Sequence, residues 1–123
     1  MPPYESKVAI VIGGSAGVGR ATVDALRNRG YAVGVVARGR MRLDELERIG
    51  VATYSADAGD SAQLDAAADH LVNRLGRTSV WVNCAMATSF SAFKDTPAAD
   101  FERIIRTTLM GQVNGTRAAL KPA

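Results

Sequence analysis

The residues with the most chemical content lie in Ile12-Gly-Gly-Ser-Ala-Gly-Val-Gly19, a glycine cluster between an apolar run and a helical pattern. Glycines at such a junction let the backbone turn tightly and approach a pyrophosphate. The helix that follows offers free N–H groups and the positive end of its dipole. The chemistry expected here is the binding of a phosphate-bearing ligand, and three loop types compete for it. A Walker A loop needs Lys and then Ser or Thr after its last glycine, but Arg20 and Ala21 follow Gly19. The strict G-x-G-x-x-G fingerprint needs a small residue three beyond Gly19, where Thr22 fits poorly. The spacing G-x-x-x-G-x-G, with Gly13, Gly17 and Gly19, fits without a gap. A plain strand-to-helix turn is the reading that needs no ligand.

Little else in the composition offers chemistry. The 123 residues hold one cysteine, Cys84, and one histidine, His70. That excludes an intrachain disulfide and an ordinary structural zinc site, so no metal is expected. Cys84 has no His or Lys beside it and reads as a buried structural thiol. His70 reads as a surface residue. With 47% hydrophobic and 22% charged residues the chain is ordinary globular protein. Its net charge of +3 is small and its arginines are scattered, which argues against nucleic acid as a partner. The apolar runs are short and Met1 to Lys7 has no apolar leader core, so a soluble cytoplasmic protein without membrane contact is expected.

The elements that must position the loop alternate along the chain. Lys7 to Ile12 is almost continuously apolar, as for a strand buried on both faces. A helix from about Val18 to Arg29 turns Val23 and Leu26 inward and stops at Gly30. Tyr31 to Ala37 is a second strand, Met41 to Ile49 a short helix ended by Gly50, and Val51 to Ser55 a third strand. Asp60 is the expected N-cap of the next helix, with Gln63 reaching back in a capping box. Leu64, Ala68, Leu71 and Leu75 then form one stripe toward a sheet. Val80 to Asn83 is a fourth strand. Thr96 is expected to cap the last helix with Pro97 at its first position. From there Phe101, Ile104, Ile105, Thr108, Leu109, Gln112 and Val113 trace an apolar face down to about Leu120. Right-handed crossovers make this α/β pattern the N-terminal half of a doubly wound parallel sheet, strand order 3-2-1-4, with four helices.

The glycine spacing resembles the short-chain dehydrogenase/reductase family, whose cofactor motif is T-G-x-x-x-G-x-G, with Ile12 in place of its threonine. Three further landmarks of that family occur in order. At the end of the second strand, NAD-type sites place a carboxylate for the ribose 2′-OH. Here Ala37 is followed by Arg38, Gly39 and Arg40, with no acidic residue between Asp24 and Asp44. A guanidinium at that place suits a 2′-phosphate, with Ser15 as a neutral partner, so NADP(H) is expected over NAD(H). A solvated basic turn is the alternative. Asp57 stands where the family holds the adenine amino group, with the N–H of Ala58 on a ring nitrogen. Val82-Asn83-Cys84-Ala85-Met86 resembles V-N-N-A-G, so Asn83, Ala85 and Met86 should lie along the cofactor, Met86 crowding it.

The resemblance implies a Rossmann-like NAD(P)-binding domain over residues 1–123. Its expected dinucleotide contacts are Gly13, Ser15, Ala16, Gly17, Val18, Gly19, Arg38, Asp57, Ala58, Asn83, Ala85 and Met86. It also implies hydride transfer to or from a small carbonyl or alcohol substrate, driven by a serine and a Tyr-x-x-x-Lys pair. Val8, Val35 and Ala58 stand four residues beyond Tyr4, Tyr31 and Tyr54, so no such pair is present. Thr108 occupies the place of the family's helix asparagine, where a helix-face threonine is the competing reading. The resemblance runs from Lys7 to Pro122 and covers the family's first half, so the chain reads as truncated after the helix that follows the fourth strand. A dinucleotide-binding module without chemistry is the second reading. The last helix is expected to pair in a homo-oligomer, with Gly111 and Gly115 permitting close helix approach.

Overall fold

Four parallel strands, β1 (Val8–Ile12), β2 (Ala32–Ala37), β3 (Ala52–Ser55) and β4 (Val80–Asn83), lie in the order β3-β2-β1-β4. The computed structural model describes residues 7–121; residues 1–6, with Tyr4, and residues 122–123, with Pro122, lie outside the described residues. The helices are α1 (Gly17–Asn28), α2 (Arg40–Arg48), α3 (Ser61–Leu75), α4 (Ala98–Ile104) and α5 (Gly111–Ala119). A π-helical turn, Ile105–Met110, joins α4 to α5, so the expected fourth helix is one rod with a wider turn inside it. Among the described residues no helix is long and apolar enough to cross a membrane.

Alternation along β1 explains its unbroken apolar sequence. Ala9 and Val11 face α1 and α2, packing with Val23, Leu43 and Leu46. Ile10 and Ile12 face α3, packing with Leu64, Ala67 and Leu71. Both faces are therefore dry, which only a run without polar residues tolerates. Each large aliphatic side chain sealed this way contributes about 1.5–3 kcal/mol. The expected α3 stripe is inward as drawn, with Leu75 only partly buried against the same layer.

Three local expectations are corrected. Asp60 does cap α3, accepting from Gln63 N at 3.1 Å, and the Gln63 side chain reaches back to it, donating Nε2 to Asp60 Oδ2 at 3.3 Å, but its Oε1 accepts from Asp57 N at 2.8 Å and not from the Asp60 N–H of an ordinary capping box. Thr96 does not cap α4. Its hydroxyl donates to Ala92 O at 2.9 Å and closes a 3-10 turn, Phe93–Asp95, while Pro97 is the N-cap. The apolar face of the last helix is the third. Ile105, Leu109 and Val113 are exposed, and the buried face is Gly111, Asn114, Gly115 and Ala118. Gly111 and Gly115 meet the chain's own loops and strand: a Cβ on Gly115 would overlap the Asn83 amide, its Cγ only 2.9 Å away. Gly115 is inward because α5 lies so close to Asn83 of β4 that a side chain there would overlap it.

Glu47 ties three elements at the sheet's edge. Its carboxylate accepts from both Arg74 guanidinium nitrogens at 2.9 and 2.8 Å, and from Thr53 N and Oγ1 at 3.0 and 2.7 Å. The Arg74 bonds, helped by those from Thr53 and opposed by partial burial, lower its pKa from 4.5 to about 2. A depressed acid stabilises the fold above its unfolded value and loses that contribution as pH falls through its folded one. Solvent reaches both side chains and trims the effect. Chemical denaturation between about pH 5 and about pH 2 should therefore show stability falling more steeply in the wild type than in Glu47→Gln. Parallel profiles would remove this role.

Candidate functional site

At the C-terminal ends of the strands a cavity of about 460 Å³ opens between the β1–α1 loop, the end of β2, the β3–α3 loop and the segment after β4. In an open parallel sheet this is where ligands bind, at the point where strand order reverses about β1. Every expected contact residue except Asn83 lines it: Gly13, Ser15, Ala16, Gly17, Val18, Gly19, Arg38, Asp57, Ala58, Ala85 and Met86.

The loop keeps its shape through missing side chains. Gly13 has φ +83°, donates to Val36 O at 2.7 Å, and lies so close to the strand-four loop that a Cβ would stand 2.8 Å from Ala85 N. Gly19 sits directly on Gly13, where a Cβ would overlap the Gly13 carbonyl oxygen. No side chain caps α1 at Ala16 and no acidic residue occupies its first turn. The first-turn N–H groups, which no helix satisfies internally, are left for an anionic ligand.

Arg38 is exposed at the end of β2. Its carbonyl accepts from Ser55 Oγ at 3.2 Å, and Ala37 O from Ala56 N at 3.0 Å, so β3 fixes this turn. Asp57 is half-buried; its Oδ1 accepts from Gly59 N at 2.8 Å. Ala58 is buried and its carbonyl accepts from Asn114 Nδ2 at 2.9 Å. Asn114, a buried polar side chain on α5, was not picked out by sequence reasoning. Its neighbours Gly111 and Gly115 were the available signal, because small residues around an amide mark a close approach.

Three placements differ from expectation. Asn83 does not line the cavity. Its Oδ1 accepts from Trp81 Nε1 at 2.9 Å and its backbone carbonyl accepts from Gln112 Nε2 at 3.3 Å, which makes it the seat of α5. Cys84 is half-buried and lines the cavity instead of being sealed in the core. Thr108 is turned to Ala87, accepting from its N at 2.9 Å and donating to its O at 3.0 Å. The adjacent Thr107 lines the cavity instead, a residue outside the apolar face that runs through Phe101, Ile104, Ile105 and Thr108. Met86, 65% exposed, borders the cavity without closing it.

The residues fit a dinucleotide. The bare glycine backbone and uncapped helix suit a pyrophosphate, Arg38 an anion beyond it, and Asp57 a hydrogen-bond donor at the other end. Known proteins agree with that geometry. The uncharacterized oxidoreductase YxnA of Bacillus subtilis is 31% identical over 123 residues, which are 95% of this chain and 35% of that protein. An actinorhodin polyketide ketoreductase variant solved with NADPH superimposes with a TM-score of 0.83 at 29% identity, over 98% of this chain and 49% of that one. An NADPH-bound short chain oxidoreductase from Pseudomonas aeruginosa PAO1 gives 0.85 at 30% identity, over 95% and 48%. The chain thus spans about a third to a half of the length of these relatives. The short chain dehydrogenase model matches residues 7–122, which include the whole of the loop, the sheet and the cavity. With fold, loop spacing and relatives in agreement, the chain belongs to the short chain dehydrogenase family of oxidoreductases.

Proposed function

We propose that this chain is the NADP(H)-binding portion of a cytoplasmic oxidoreductase acting on a small carbonyl or alcohol substrate. The observation that carries the cofactor choice is Arg38 at the end of β2, with no carboxylate beside it to repel a 2′-phosphate. Two structural relatives bound to NADPH support the same choice. When bound, the nicotinamide supplies or accepts the hydride. The chain's own residues hold the cofactor: Gly13 to Gly19 the pyrophosphate, Arg38 and Ser15 the 2′-phosphate, Asp57 and the Ala58 N–H the adenine. Ala85 and Met86 lie toward the nicotinamide ribose. No tyrosine here has a lysine four residues on, so the acid–base pair of hydride transfer is not among these residues. Self-association through the last helix belongs to this reading, supported by exposed Ile105, Leu109 and Val113.

Fluorescence titration with NADPH and NADH tests the cofactor choice. NADPH should bind more tightly, and Arg38→Ala should lose about tenfold or more toward NADPH, as for one charge-assisted hydrogen bond, with NADH unchanged. Tighter NADH binding, or an unaffected Arg38→Ala, would sink the phosphate reading.

A further inference from the structure

The Asp57 carboxylate has a second neighbour. Arg106, in the π-helical turn, lays its stem across Gly59: a Cβ there would stand 2.6 Å from Arg106 Cγ and 3.0 Å from Nε. Its Nη2 reaches within 3.7 Å of Asp57 Oδ2, while Oδ1 is held by Gly59 N at 2.8 Å. The carboxylate is therefore hydrogen-bonded through Oδ1 by the loop and faces the guanidinium charge of the last helix through Oδ2. Arg106 itself stays out of the cavity wall, to which Asp57 and Thr107 belong.

We propose that Arg106 is a positioning residue for adenine recognition, acting through Asp57. The proposal rests on the dinucleotide reading above and on Asp57 as its adenine contact. An aspartate's terminal torsion is broad, so a carboxylate bonded through one oxygen swings. A positive charge held beside the far oxygen biases that swing toward one orientation. Four lone-pair sites on the carboxylate leave room for an incoming amino group. The glycine at 59 is what lets the arginine reach: any side chain there would push its stem away. Both Arg106, which reaches the β3–α3 loop, and its neighbour Thr107, which lines the cavity, belong to the wider π turn.

Binding of NADPH and of its hypoxanthine analogue, which lacks the exocyclic amino group, separates this role from a general one. Wild type, Arg106→Gln and Arg106→Lys are titrated with both. Arg106→Gln should weaken NADPH about three- to fivefold, the scale of a half-exposed ion pair, and leave the analogue unchanged. Arg106→Lys should recover part of the loss, and in an Asp57→Asn background the effect of Arg106→Gln should vanish. Equal weakening of both dinucleotides, or none of either, overturns the role of Arg106. A wild type that binds both equally overturns the adenine contact of Asp57 and this inference with it. A wild type that binds neither overturns the dinucleotide reading itself.

Discussion

Gly19→Ala should abolish saturable NADPH binding and destabilise the fold together. The added methyl would overlap the Gly13 carbonyl oxygen, and Gly13 is itself pinned between Val36 O and the backbone of Ala85. Neither neighbour is a flexible side chain, so the loop must open. Overpacking of this kind costs about 1–3 kcal/mol. The binding loss is the larger effect, because the first-turn N–H groups that would face the pyrophosphate move with the loop. Thermal unfolding and NADPH titration of the same variant measure both. A Gly19→Ala protein that binds NADPH like the wild type would show that the loop does not hold the phosphates.

Asn114→Leu should give the second largest loss, this time in stability first. Asn114 is only 5% exposed and its amide donates to the Ala58 carbonyl at 2.9 Å. Leucine removes the donor and leaves the carbonyl buried and unpaired, at about 1–3 kcal/mol. Ala58 belongs to the cavity wall, so NADPH affinity should fall with it. Urea denaturation reads the stability term. An unchanged midpoint and slope would mean that the β3–α3 loop does not depend on α5.

The strands, their order and the glycine loop were legible because each rests on one strong local rule. An apolar run without a break means a strand covered on both faces, and β1 is one. Of the three glycines with the spacing of a phosphate loop, Gly13 and Gly19 have backbones that crowd their neighbours, and Gly17 turns the chain at φ +57°. The last helix was misread for a physical reason. Hydrophobicity points to Ile105, Leu109 and Val113, yet the inward face is Gly111, Asn114, Gly115 and Ala118, which meets Asn83 of β4 and Ala58 of the β3–α3 loop through close approach and a hydrogen bond more than through apolarity. Asn83 was misplaced for a related reason, since an asparagine beside a cavity equally serves as a floor for the helix above it. The π turn left no mark in the residue pattern, and Thr107, to which the sequence assigned no role, is the threonine that lines the cavity.

That turn sets the relative phase of two working faces on one rod. Inside the turn Arg106 and Thr107 address Asp57 and the cavity; C-terminal to it α5 seats itself on Asn83 and Ala58. Removing one residue between Thr107 and Gly111 would rotate one face against the other by about 100°, so that only one could stay engaged. Sequence change along this helix is therefore constrained in residue number more than in residue type: a substitution disturbs one contact, whereas an insertion or deletion uncouples the two ends.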